Sequence, residues 1–147
     1  MSQQSHRSDP RILKRRNLQR DHPYLARVLR NGMDVLDVGC GTGAITADIA
    51  KAVGPDGMVL GIDRDDANLA IAVEQYAGMG NLRFEGADIL THADRFDNGF
   101  DIVTAARTIQ WISEPERAIV YMKKAHLVWD RANYGLAFLQ WGARRIY

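Results

Sequence analysis

The chain has 147 residues, of which 46% are hydrophobic and 25% charged, with a formal net charge of +1 at pH 7. That length bounds it to one domain with a real core, and the composition is that of an ordinary globular protein. No apolar run approaches the ~20 residues of a membrane-spanning helix, and the single cysteine, Cys40, excludes an internal disulfide and fits a reducing compartment.

The near-neutral total hides an asymmetry. Residues 1–31 carry eight Lys/Arg against two Asp, and residues 32–147 carry eleven against sixteen Asp/Glu. A basic leader has three readings: a mitochondrial transit peptide, a nucleic-acid arm, or a solvated segment running into a helix. Asp9, Pro10 and Asp21 interrupt the run, and no interleaved aromatics support base stacking. The solvated segment is therefore preferred, with nucleic acid set aside as a partner. The expected location is the cytoplasm, with the mitochondrion as the alternative.

Residues 1–9 read as a disordered leader. From Pro10 to Asn31 the pattern is helical, with Ile12, Leu13, Leu18, Tyr24, Leu25, Val28 and Leu29 as core positions. Pro23 opens a second helix there and Asn31-Gly32 ends it. A strand over 33–38 leads into a helix over 43–53, closed by Gly54-Pro55-Asp56-Gly57. A second buried strand covers 58–63, and a helix covers 68–77 with Leu69, Ile71, Ala72, Val73 and Tyr76 facing inward. A third strand, 82–88, and a fourth, 100–105, flank a loop rich in Asp and Asn. A helix from 114 to about 125 begins with proline and acids at its positive end. Strands alternating with helices of this length imply an α/β fold with a parallel sheet.

The chemistry is concentrated in residues 33–43, Met-Asp-Val-Leu-Asp-Val-Gly-Cys-Gly-Thr-Gly. Gly39, Gly41 and Gly43 permit a tight turn and close backbone approach to a ligand, and the following helix points its free N–H groups at the same spot. Asp37, at the last turn of the strand, opposes a pyrophosphate and favours an ammonium group. Asp-x-Gly-x-Gly-x-Gly thus indicates an amino-acid-bearing nucleoside. Asp63, at the end of the second strand, is placed either to accept both ribose hydroxyls or to act as a turn or helix-cap acid.

Across roughly Leu18 to Ala125 these residues resemble the S-adenosylmethionine-dependent methyltransferases of the Rossmann-like class, and most of all the branch that includes the ubiquinone and menaquinone biosynthesis enzymes. The resemblance implies a Rossmann-like three-layer sandwich and S-adenosyl-L-methionine as cofactor. It also implies in-line methyl transfer to a small-molecule acceptor, and leading helices that cover the cofactor. The implied contacts are Asp37, Gly39, Cys40, Gly41, Thr42 and Gly43 at the turn, with Asp63 on the ribose. Ala87, Asp88 and Ile89 match the adenine position, where the apolar neighbours and the methylenes of Arg64 sandwich the ring. The competing reading of Asp88 is a loop cap. Arg107 and Gln110 fall near the methionine moiety or acceptor, and Trp111 and Ile112 read as packing residues. Cys40 reads as a small packing residue, although a helix N-terminus can lower a thiol pKa. No catalytic base stands out: His22, His92 and His126 read as surface histidines. No metal-ligand spacing is present.

Family members normally continue past this point with a Pro-Gly-Gly turn, a fifth strand and an antiparallel pair. Residues 126–147 show none of that pattern. The sequence reading divides the chain into leading helices (10–32), a cofactor-binding core (33–125) and a divergent tail (126–147). The tail is read either as the product of a frame change, splice or deletion, or as a substitute strand and helix. The sheet is then incomplete at its C-terminal edge, which favours self-association. Two rival functions follow: a truncated, inactive relative, and a nicotinamide enzyme, since Gly39-x-Gly41-x-x-Ala44 also fits a dinucleotide loop.

Overall fold

A computed structural model of the chain describes residues 9–96, 99–105 and 108–124, with the side chain of Lys123 excepted. The divergent tail, His126, Arg107 and residues 1–8 of the leader lie outside the described residues.

Three short helices lead: α1 (Pro10–Leu13), α2 (Leu18–Asp21) and α3 (Pro23–Val28). They replace the longer helical stretch expected over this region. Asp9 caps α1 by accepting from the Arg11 amide, and Asn17 caps α2 by accepting from the Gln19 and Arg20 amides. The Asp9 cap sets the start expected at Pro10, and the Asn17 cap starts a new helix where the apolar spacing alone suggested continuity. The body then alternates β1 (Val35–Val38), α4 (Ala44–Val53), β2 (Val59–Asp63), α5 (Asp66–Tyr76), β3 (Leu82–Gly86), β4 (Ile102–Thr104) and α6 (Pro115–Lys124). Helix α5 begins two residues earlier than expected because the Asp65 side chain accepts from the Ala67 and Asn68 amides.

The four strands are parallel in the order β3-β2-β1-β4. Successive connections run outward from β1 to β3, and the chain then returns to the other side of β1. That reversal makes the carboxyl end of β1, beside β4, the switch point where ligands bind in such sheets. Every residue of β1 and β4 is buried, as expected of strands covered on both faces. On one face Val35, Val59, Leu82 and Ile102 pack with Ile45, Ile49 and Val53 of α4 and with the leading Leu18, Leu25 and Leu29. On the other, Leu36, Val38, Ile62 and Val103 pack with Ile89, Phe96, Ala118 and Met122. The α/β class and parallel sheet are thus as expected. Among the described residues β4 is paired only with β1.

Several expected core positions are exposed. Ile12 is 63% exposed, because a four-residue helix turns only Leu13 inward; Tyr24 is 42% exposed beside buried Leu25. Val73 is 52% exposed, lying about 100° round α5 from buried Ala72. Trp111 ends a 3₁₀ turn, Ile109–Trp111, that buries Ile109 and leaves the indole 54% exposed. His22 is the converse: expected at the surface, it is 6% exposed where α2 hands over to α3.

Two polar side chains fix the body. The Asn81 amide donates to the carbonyls of Ala50 and Gly54, both at 2.8 Å, closing the C-terminal end of α4. The Asp48 carboxylate on α4 accepts from the Leu18 amide at 3.1 Å, tying the leading segment to the sheet layer. At the other end of α4, Gly43 has φ +79°, and a Cβ there would lie 2.6 Å from the Phe84 ring and 3.1 Å from the Ala72 methyl. Gly43→Ala should therefore lower unfolding stability by about 1–3 kcal/mol. Gly78→Ala, where a Cβ meets nothing within 4 Å, should change it by under about 0.5 kcal/mol. Urea unfolding of both variants checks the contrast.

Candidate functional site

The turn after β1 is built by its own backbone. Gly39, Gly41 and Gly43 all have positive φ, at 76°, 57° and 79°. The Gly39 and Cys40 amides both donate to the Ile62 carbonyl on β2, at 2.7 and 3.0 Å, and the Gly43 amide donates to the Cys40 carbonyl at 3.0 Å. The space a side chain would fill is taken at each glycine. Thr108, from the loop after β4, occupies the place a Cβ on Gly39 would take, and Leu13 of α1 lies 3.3 Å from a Cβ built on Gly41. The Thr108 hydroxyl also donates to the Gly39 carbonyl at 3.4 Å.

Asp37 is 2% exposed, and its Oδ2 accepts from the Thr46 hydroxyl on α4 at 2.7 Å. Burial raises its pKa to about 6; the Thr46 bond opposes that, the charge of Asp63 adds to it, and the Arg16 guanidinium opposes it. Asp37 lines a small cavity, of about 10 Å³, with Leu13, Arg16, Gly39, Cys40, Thr42, Ala44 and Ile45. Thr42 is 1% exposed, and its Oγ1 has no hydrogen-bond partner among the described residues. Gly43, the N-cap of α4, offers no side-chain acceptor, so the first-turn N–H groups of α4 face the same space. A buried carboxylate, a partnerless hydroxyl and a helix N-terminus at one point suit a zwitterion. The cavity itself holds about one water.

Asp63 Oδ2 accepts from the Gly41 amide at 2.7 Å and Oδ1 from the Asp65 amide at 2.9 Å. The helix cap of α5 is Asp65 instead, and each Asp63 oxygen keeps a second lone pair. Asp88 Oδ1 accepts from the Leu90 amide at 2.9 Å, the loop-capping geometry, and Oδ2 lies 3.5 Å from Nη1 of the exposed Arg64. Ala87 and Ile89 are 6% and 3% exposed, inside the apolar layer beneath that loop. The structure thus gathers Asp37, Gly39, Cys40 and Thr42 around one cavity, with Gly41 and Gly43 in the same turn and Asp63 bonded to it, and puts Arg64, Ala87, Asp88 and Ile89 along the ends of β2 and β3.

Cys40 packs its Cβ 3.0 Å from where a Gly61 side chain would begin. Burial, with the charges of Asp37 and Asp63, pushes its thiol pKa well up. The helix N-terminus does not win, and a thiolate is disfavoured. His92 is half-buried, its Nδ1 within 2.8 Å of the Thr91 hydroxyl and 3.3 Å of the Asp88 amide; it holds the loop after β3 together and is not a free surface histidine. Sequence reasoning missed Leu13, Arg16 and Thr46 as site residues. Thr46 falls three residues past the last glycine, one helical turn into α4, a spacing that signals contact with the turn. Nothing in the basic run Lys14-Arg15-Arg16 singles out Arg16.

A family profile described as "Methyltransferase domain" matches residues 29–126. The chain belongs to this methyltransferase-domain family. A demethylmenaquinone methyltransferase of Staphylococcus aureus (strain JH9) is 42% identical over 81 residues, which is 52% of this chain and 31% of the relative. The chain therefore spans about a third of the length of the curated relatives it matches. Among solved structures, a SAM-dependent methyltransferase from Aquifex aeolicus superposes with a TM-score of 0.64 at 26% identity, covering 81% of this chain and 68% of that one. The [4+2]-cyclase SpnF superposes with a TM-score of 0.61 at 28% identity, covering 76% and 43%. The expected Rossmann-like fold and family are borne out.

The Asp37 site sets a pH dependence. Its proton is held more tightly in the folded chain than in the unfolded one, where the ordinary value is 3.8. The native state therefore binds more protons between these values. Stability falls as pH rises from about 4 to about 6 and stays low above. Asp37→Asn keeps an acceptor for Thr46 and removes the buried charge. It should stabilise the fold at pH 7.5 by on the order of 1–3 kcal/mol and by little at pH 4. Chemical denaturation of both proteins at the two pH values checks this.

Proposed function

We propose that the chain carries the cofactor-binding site of a small-molecule methyltransferase that uses S-adenosyl-L-methionine. The observation that carries this reading is the buried carboxylate of Asp37 at the mouth of a three-glycine turn. A pyrophosphate there would face that charge inside a low-dielectric pocket, whereas an ammonium group neutralises it. The bound sulfonium supplies an already activated methyl group.

The chain's own part is binding, alignment and exclusion of water. Asp37 holds the ammonium end, while Gly39, Cys40, Gly41, Thr42 and Gly43 form the floor beneath it. The spare lone pairs of Asp63 accept the ribose hydroxyls while its existing bonds hold the Gly41 amide in place. Asp88 accepts from the adenine amine, with Ala87, Ile89 and the Arg64 methylenes lining the ring, and the family resemblance puts Arg107 near the methionine moiety or the acceptor. The 42% identity to a demethylmenaquinone methyltransferase over 81 residues supports a small, quinone-like acceptor. The single cysteine supports a cytoplasmic setting, and no helix among the described residues is long and apolar enough to cross a membrane. Among the described residues β4 pairs only with β1, which supports self-association through its other side; sedimentation at several concentrations tests this.

Calorimetry with S-adenosylhomocysteine tests the cofactor reading. Binding is expected, with affinity rising as pH passes through about 6 and Asp37 ionises, and this rise should be absent in Asp37→Asn. Heat from NADH together with none from S-adenosylhomocysteine would replace the reading with the dinucleotide one. Transfer of a labelled methyl group to a demethylated quinone tests turnover separately. That separation matters because SpnF shows the same fold under the name of a cyclase. Binding without transfer to any acceptor would favour the inactive relative.

A further inference from the structure

The leading segment contributes one residue to the site that the glycine turn does not explain. Arg16 is half-buried and lines the same cavity as Asp37, Thr42, Ala44 and Ile45. Its backbone amide donates to the Leu13 carbonyl at 3.2 Å. Its neighbours on the body side are fixed, since the Leu18 amide two residues on is bound to Asp48 of α4 at 3.1 Å. Lys14 and Arg15, by contrast, are exposed. One basic residue of the leader is thus turned towards the buried carboxylate, and its charge is close enough to favour the ionised form of Asp37.

An amino-acid end carries two charges, and Asp37 accounts for one of them. A carboxylate entering the cavity meets the partnerless Thr42 hydroxyl, which is 1% exposed, and the first turn of the ten-residue helix α4. Neither supplies a full positive charge. We propose that Arg16 is the counter-ion of the ligand's carboxylate, while the ligand's ammonium sits beside Asp37. Both charges of an amino-acid end are then met by an opposite charge, as a low-dielectric pocket demands. It also makes Arg16 a specificity-determining residue, separating amino-acid nucleosides from amines of the same shape. The inference rests on the cofactor reading above.

The test compares two probes by calorimetry: S-adenosylhomocysteine, and its decarboxylated analogue, which keeps the ammonium and lacks the carboxylate. Arg16→Met should weaken the first about 10- to 100-fold, the loss of a charge-assisted bond. It should leave the second unchanged or tighter, because Arg16 no longer competes for Asp37. R16K, which keeps the charge, should recover most of the affinity for the acid and also guards against a folding defect in R16M. R15M removes the same charge from an exposed neighbour and should alter neither probe by more than about twofold. Equal losses for both probes, or none for either, overturn the role of Arg16 while leaving the cofactor reading intact. Failure of the unsubstituted protein to bind either probe overturns both.

Discussion

The structure depends on keeping one ionisable carboxylate out of water. Asp37 ends a strand whose every residue is buried, and its solvation is replaced by the Thr46 hydroxyl, by the proximity of Arg16 and by little else. A hydrophobic residue in that place would pack at less cost, since burying an unneutralised charge is among the most unfavourable things a fold can do. In the proposed function the cost of that burial is offset by the ligand's ammonium, a compromise between stability and binding. The raised pKa and the small cavity are two views of the same arrangement.

The surrounding elements are arranged to hold that point still. The glycine turn is bonded to β2 through the Ile62 carbonyl, to Asp63 through the Gly41 amide, and to the loop after β4 through Thr108. These contacts come from the two strands flanking β1, so the site sits where the sheet reverses direction. Asp63 serves the fold and the site together. Its present bonds shape the turn, and its spare lone pairs are the ones assigned to the ribose in the proposed function.

Much of this was legible in the residues. The glycine turn, the parallel alternation and the acids at the ends of the second and third strands follow from local spacing, because backbone freedom and strand periodicity are local properties. What escaped was set by contacts between distant parts of the chain. The cap at Asn17 cuts the leading region into short helices. His22 is buried by the fold-back between two of these. Val73 and Trp111 are apolar yet exposed, since periodicity identifies a face without saying how wide its partner is. Cys40 was legible as packing and not as a nucleophile, while the turn of Arg16 towards Asp37 has no sequence signature at all. A basic residue in a basic run looks the same whether it meets water or a carboxylate 21 positions away.

Asn81 has a reach beyond its own loop. Its amide clasps the last carbonyls of α4, and a ten-residue helix is a rod of roughly 15 Å. Anchored at the far tip by Asn81 and at the near tip by the glycines, that rod has no freedom to pivot. The aim of its leading amides is therefore governed in part from the opposite end of the helix, at the start of β3. Slack at the start of β3 would be magnified into misalignment at the ligand's end, as a small error at a lever's handle displaces its point.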